Sequence, residues 1–295
     1  MVGEPAARRV VVYVPGFNTP LGPWEAAKCR LVAAALEAMV VVTEIPGMSR
    51  FGDRIPPAIR ADMMRGQVES WAELTASYHR KALALLGRRE FEEVILLGYS
   101  TGCSLAVAGH PDLARLGPLR RIILIEPVAT VPRNLVQLER DNMLEVLRQP
   151  GSYRTNWTHD WVMDARRRQL REPWVRYGPA DLMAIATVLS RPTLPRHLPE
   201  DVAVQVDLVR GVRSTLSADR PFSELDGSLE QRGVGGMSVR VDGFGHPLWH
   251  SFPVLFPLVE ALSGVVDQQP GGNTSRPSAE RAPMTIRDTT PSVNR

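Results

Sequence analysis

The chain has 295 residues, is 44% hydrophobic and 23% charged, and carries a formal net charge of +3. That apolar content can bury one large core, and so small a charge over such a length leaves no electrostatic footprint for nucleic acid. No apolar run approaches the roughly 18 residues of a membrane span, and the opening, MVGEPAARRVVVYV, reaches a strand without the long apolar segment of a secretory signal. A cytoplasmic location with no membrane partner is therefore expected.

Arg8 to Val14 is continuous and β-branched, as in a central strand buried on both faces. It ends in the loop Pro15-Gly16-Phe17-Asn18, and Trp24 to Met39 then shows a helical period. Val40 to Ile45 is a second strand, and a long helical stretch runs from Pro56-Pro57 to about Leu86, with Trp71, Leu74, Tyr78 and Leu85 marking its buried stripe. Residues 92–98 form the third strand, Arg121 to Ile125 the fourth, Val202 to Val209 the fifth and Met237 to Val241 the sixth; Ser251 to Leu262 closes the fold as a helix. Strands alternating with helices predict a doubly wound, mostly parallel α/β sheet of about six strands.

Between the fourth and fifth strands, residues 132–200 break the alternation. They hold helices near Asn134 to Leu147 and Asp181 to Leu189, and an irregular stretch from Tyr153 to Tyr177 with Trp157, Trp161 and Trp174. Such an excursion from an α/β core reads as a lid. The cluster Arg166-Arg167-Arg168, with Arg171 and Arg176, reads as a solvated helix face before it reads as an anion site. Residues 1–265 thus make one domain with an inserted lid, and 266–295, with almost no apolar content, are expected to be a disordered tail.

Chemistry concentrates at Gly98-Tyr99-Ser100-Thr101-Gly102, between the third strand and a small-residue helix. Chance alone yields about 0.1 matches to G-x-S-x-G in this composition, so context decides. A strand turning sharply into a helix, with glycines flanking the turn, lets Ser100 adopt a strained conformation with its hydroxyl at the mouth of the sheet. A serine hydroxyl needs a base to take its proton, and that base needs an orienting carboxylate. Of six histidines, His246 is the candidate, because it follows the last strand on the glycine-rich loop Gly243-Phe244-Gly245. His250 lies at metal-ligand spacing from it, but Pro247 and the lack of a glutamate partner argue against a metal. His79, His110, His159 and His197 match no strand end. The two cysteines, Cys29 and Cys103, suit neither a disulfide framework nor a metal site; Cys103 reads as a packed thiol.

On these residues, over about 8–265, the chain resembles the α/β-hydrolase superfamily, in its serine-nucleophile branch. The resemblance implies a second oxyanion donor from the loop after the first strand, here the Phe17 N–H, together with the Thr101 N–H. Pro15 stands where the superfamily often has histidine, which keeps the backbone donor and removes a brace. The acid usually follows the penultimate strand, near Ser214 and Thr215, neither of which ionises usefully; Asp219, further along that loop, and Glu126, at the tip of the fourth strand, are the alternatives. The implied reaction is acyl transfer to water from a small-molecule ester or thioester, with no metal or cofactor. The same Ser/His site in an acyltransferase, and a ligand-binding protein that keeps the fold without turnover, are the alternatives.

Overall fold

The computed structural model describes residues 1–17, 19, 21–48, 53–155, 178–264 and 284–288. Six parallel strands form its centre: β1 (Arg9–Val14), β2 (Met39–Val42), β3 (Glu93–Tyr99), β4 (Leu119–Ile125), β5 (Gln205–Gly211) and β6 (Gly235–Val241). They lie in the order β2-β1-β3-β4-β5-β6, and a further strand, β7 (Met284–Asp288), pairs antiparallel with β6.

Alternation along each strand builds two cores, because successive side chains leave a strand on opposite faces. Val10, Val12, Leu96, Ile122, Leu124 and Leu208 face one layer, which includes α3 (Glu69–Leu85) and α4 (Thr101–Ala108). Val11, Tyr13, Ile95, Leu97, Ile123 and Val209 face the other, covered by α1 (Pro23–Ala35) and α10 (Phe252–Leu262). Strands sandwiched in this way have no solvent face, which is why β1 is apolar from Val10 onward and β3 from Val94 onward.

Several boundaries differ from the sequence reading for local reasons. The long helical stretch divides into α2 (Pro57–Met64) and α3, because Gly66 turns the chain at φ +80°. Strand β5 starts at Gln205 because Asp201 first closes a turn, accepting the Ala203 N–H on its side chain at 2.9 Å and the Val204 N–H on its carbonyl at 3.0 Å. The tail also needs a correction over Met284–Asp288. Strand β7 adds to the open edge of β6, where backbone groups need partners whatever the apolar content. The rest of 266–295 lies outside the described residues.

Between β4 and β5 run α6 (Leu135–Thr155), α7 (Pro179–Leu189) and α8 (Thr193–Arg196), after the short α5 (His110–Leu113) and before α9 (Asp219–Arg232). Buried Asp181, in the first turn of α7, pairs with Arg60 at 3.0 Å and Arg54 at 3.4 Å, which ties the insertion to α2. Trp157, Trp161, Trp174 and the arginine cluster lie outside the described residues. No helix among the described residues is long and apolar enough to cross a membrane.

Leu96→Ala should cost about 2–5 kcal/mol of unfolding free energy, because it opens a cavity at a position with no exposure. Leu85 lies off the buried face of α3, whose last member is Leu83, and is 87% exposed, contrary to the sequence reading, so Leu85→Ala should change it by less than about 0.5 kcal/mol. Chemical denaturation of both variants checks the contrast.

Candidate functional site

The nucleophile turn is made possible by missing side chains. A Cβ on Gly98 would come within 2.7 Å of the Cys103 Cα, and one on Gly102 within 2.0 Å of the Val14 carbonyl oxygen. Helix α4 therefore starts hard against β1 and β3, and Ser100 at its N-cap is driven to φ 55°, ψ −122°. A non-glycine residue there carries strain of about 1–3 kcal/mol, held by the surrounding packing. The Ser100 N–H donates to the Ile125 carbonyl at 2.9 Å, and its own carbonyl accepts from the Cys103 N–H at 3.0 Å. Gly16 closes the other side, since a Cβ on it would lie 3.0 Å from the Ser100 Cβ. Phe17 thus follows on the loop that runs beside the serine, and the Thr101 N–H is the first of α4, where no intrahelical acceptor exists.

Three distant segments meet above this turn. The Ser100 hydroxyl lies 2.7 Å from His246 Nε2, and His246 Nδ1 lies 3.0 Å from Glu126 Oε2. A carboxylate can only accept, so Nδ1 carries the proton and Nε2 is left to accept from the serine. Glu126 is wholly buried at the end of β4, with φ 54°. Its Oε1 accepts the Gly211 N–H, and its Oε2 also accepts the Ser214 hydroxyl at 2.6 Å. Ser214 in turn accepts the Ser217 N–H at 3.1 Å. The position that cannot supply an acid thus supplies a donor to one.

Asp219 is not brought to His246. It is the first residue of α9, its side chain 73% exposed, paired with Arg210 and, at 3.6 Å, with Arg240. Arg210 is buried on β5 and needs a counter-charge, so it draws the carboxylate outward while Glu126 holds the preceding loop. Among the other histidines, burial keeps the His79 imidazole below its ordinary pKa, with its nitrogens 3.0 Å from the Thr75 carbonyl and 3.1 Å from that of Tyr13. His110 lies 2.7 Å from the Val107 carbonyl, His197 pairs with Glu69 at 3.3 Å, and His250 Nδ1 is 3.2 Å from the Lys28 ammonium. His159 lies outside the described residues. Among the described residues no group of three His, Cys, Asp or Glu side chains is placed to hold a metal ion.

Two contacts were not foreseen. Tyr99 stacks on the His246 ring, with centroids 5.7 Å apart, and its hydroxyl donates to the His246 carbonyl at 3.2 Å. Its place beside Ser100 was visible, but its partner was not. Glu145, buried on α6, accepts the His246 N–H at 3.1 Å and also holds Thr215. No pattern links it to a residue 101 positions away.

No family model matches the sequence, and no curated protein matches it. Solved structures do. An alpha/beta hydrolase enzyme, MGS-M2, from a Medee basin deep-sea metagenome library is 13% identical, with a TM-score of 0.53 over 89% of this chain and 90% of that one. The fold is that of the α/β-hydrolases. Within this α/β-hydrolase fold the chain is also similar to a monoacylglycerol lipase of Paleococcus ferrophilus, at 15% identity and TM-score 0.56 over 88% of this chain and 93% of that one. It is likewise similar to RedJ, a thioesterase of the prodiginine pathway in Streptomyces coelicolor, at 18% identity and TM-score 0.51 over 89% and 92%.

Neither cysteine is set up as a nucleophile. Burial, then the neighbouring Glu25, pushes the Cys29 thiol up to about 12; burial, then Glu126, pushes Cys103 well above the usual thiol range. The reactive species is the thiolate, so both thiols should stay silent to a chromogenic disulfide reagent in the native protein at pH 8, and both should titrate in denaturant. A fast native reaction at Cys103 would contradict its packing.

Proposed function

We propose that this protein hydrolyses carboxylic esters or thioesters through an acyl-enzyme on Ser100. One observation carries the reading: Ser100, His246 and Glu126, from three segments, form an unbroken line of contacts at 2.7 and 3.0 Å. His246 Nε2 takes the hydroxyl proton as Ser100 Oγ attacks the carbonyl carbon, and Glu126 holds the ring and offsets its positive charge. The oxyanion forms against the Phe17 and Thr101 N–H groups, each worth about 2.7–4 kcal/mol of barrier. The leaving alcohol or thiol takes the proton from His246 as the tetrahedral intermediate collapses. Water, activated by the same nitrogen, then attacks the acyl-enzyme and frees Ser100. The lipase and thioesterase among the structural neighbours are consistent with an acyl substrate, and the insertion after β4 is the proposed cover of the acyl pocket.

A fluorophosphonate probe tests the nucleophile: wild type should label and Ser100→Ala should not, and equal labelling would refute the assignment. A panel of esters and thioesters tests the acid. Glu126→Gln should lower kcat by about 10⁴-fold, as expected when the imidazole loses its tautomer and orientation, with Asp219→Asn within a few fold of wild type.

A further inference from the structure

One buried side chain of the insertion touches both loops of the candidate site. Glu145, on α6, is only 2% exposed, and its carboxylate spans two loops. Oε2 accepts the His246 N–H at 3.1 Å, and a Cβ on Gly245 would come within 2.8 Å of the same oxygen. Oε1 accepts the Thr215 N–H and lies 2.7 Å from the Thr215 hydroxyl, which is also 3.1 Å from the Asp141 carbonyl.

We propose that Glu145 is a positioning residue: from the inserted helix it fixes the backbone of His246 and of the Ser214-Thr215 loop together, and so sets the imidazole between Ser100 and Glu126. The inference rests on the hydrolase reading given above.

The loop that carries His246 has little stiffness of its own. It leaves β6 through Gly243, at φ +79°, and Gly245, and an imidazole at the end of such a segment points only where its backbone is held. The Arg213 N–H, donating to the Phe244 carbonyl at 2.8 Å, links it to the β5 loop but not to the insertion. Glu145 supplies that link with a carboxylate, each oxygen of which accepts one backbone N–H. A buried acid is an expensive way to dock a helix, since an apolar side chain of similar size would do so without loss of hydration. Docking has other means here: Asp141, one turn earlier, pairs with Arg133 at 3.8 Å, and Arg133 donates to the Leu216 carbonyl at 2.8 Å. The Glu145 carboxylate is therefore spent on the loops. Because one group holds both, it ties Ser214, which donates to Glu126, to the backbone of the ring that Glu126 orients.

Glu145→Gln, made in the full chain, keeps the volume but turns an amide donor against one of the two loop N–H groups. Ester turnover should lose about 10- to 100-fold in kcat with KM changed by less than about threefold, as expected for a misplaced but intact base. Asp141→Asn, which loosens the same helix without touching either loop N–H, should stay within about threefold of wild type. Equal losses in the two variants, a change in KM alone, or no change in Glu145→Gln overturns the proposal. Amide hydrogen exchange on the wild-type protein tests it independently of how the variants fold. The His246 and Thr215 amides should be protected; exchange as fast as an open loop overturns it. A wild-type chain that fluorophosphonate leaves unlabelled overturns the hydrolase reading and this inference together, whereas normal labelling with an unaffected Glu145→Gln overturns this inference alone.

Discussion

The arrangement depends on one buried carboxylate. Glu126 lies at the end of β4 with no exposure and accepts from the Gly211 backbone, the Ser214 hydroxyl and the His246 ring. An acid so placed is tolerated only while its donors stay in register, because each unmade bond to a buried charged group costs several times a typical surface contact. Three elements are thereby fixed by one side chain: the tip of β4, the loop after β5 and the loop after β6. The parallel sheet makes this possible, since the C-terminal ends of β3, β4, β5 and β6 open on the same edge, and the loops that leave them meet there.

The serine side is governed by sterics rather than charge. Gly98, Gly102 and Gly16 let β1, β3 and the start of α4 approach within distances that a methyl group would forbid, and this closeness forces Ser100 to positive φ. Steric compression presents the hydroxyl, and a hydrogen-bonded acid presents the imidazole. Neither system alone puts the two 2.7 Å apart. Tyr99 joins them, with its ring against the imidazole and its backbone in the turn, and so does Glu145 from the inserted helix.

Much of this was legible in the sequence because it follows from local rules. Arg8 to Val14 and Val94 to Leu97 read as buried strands, the glycines around Ser100 marked a sharp turn, and the loop at Gly243 to Gly245 marked His246. The choice of acid was not legible, because Asp219 and Glu126 both sit where a carboxylate reaches a late histidine. What separates them is Arg210, a buried cation on β5 that has to be neutralised and takes Asp219 for the purpose. Glu145 was invisible for a different reason. Its partners lie 70 and 101 residues away, and their meeting depends on how an inserted helix docks, which no periodicity encodes. Strand β7 escaped because an edge strand needs only backbone partners.

The candidate site depends on Glu126 holding the Nδ1 proton of His246. Proton NMR of the protein labelled with ¹⁵N in histidine reads that bond directly. A slowly exchanging, far-downfield imidazole N–H signal is expected, disappearing in Glu126→Gln and persisting in Asp219→Asn. A signal that survives Glu126→Gln and is lost in Asp219→Asn would contradict that role of Glu126.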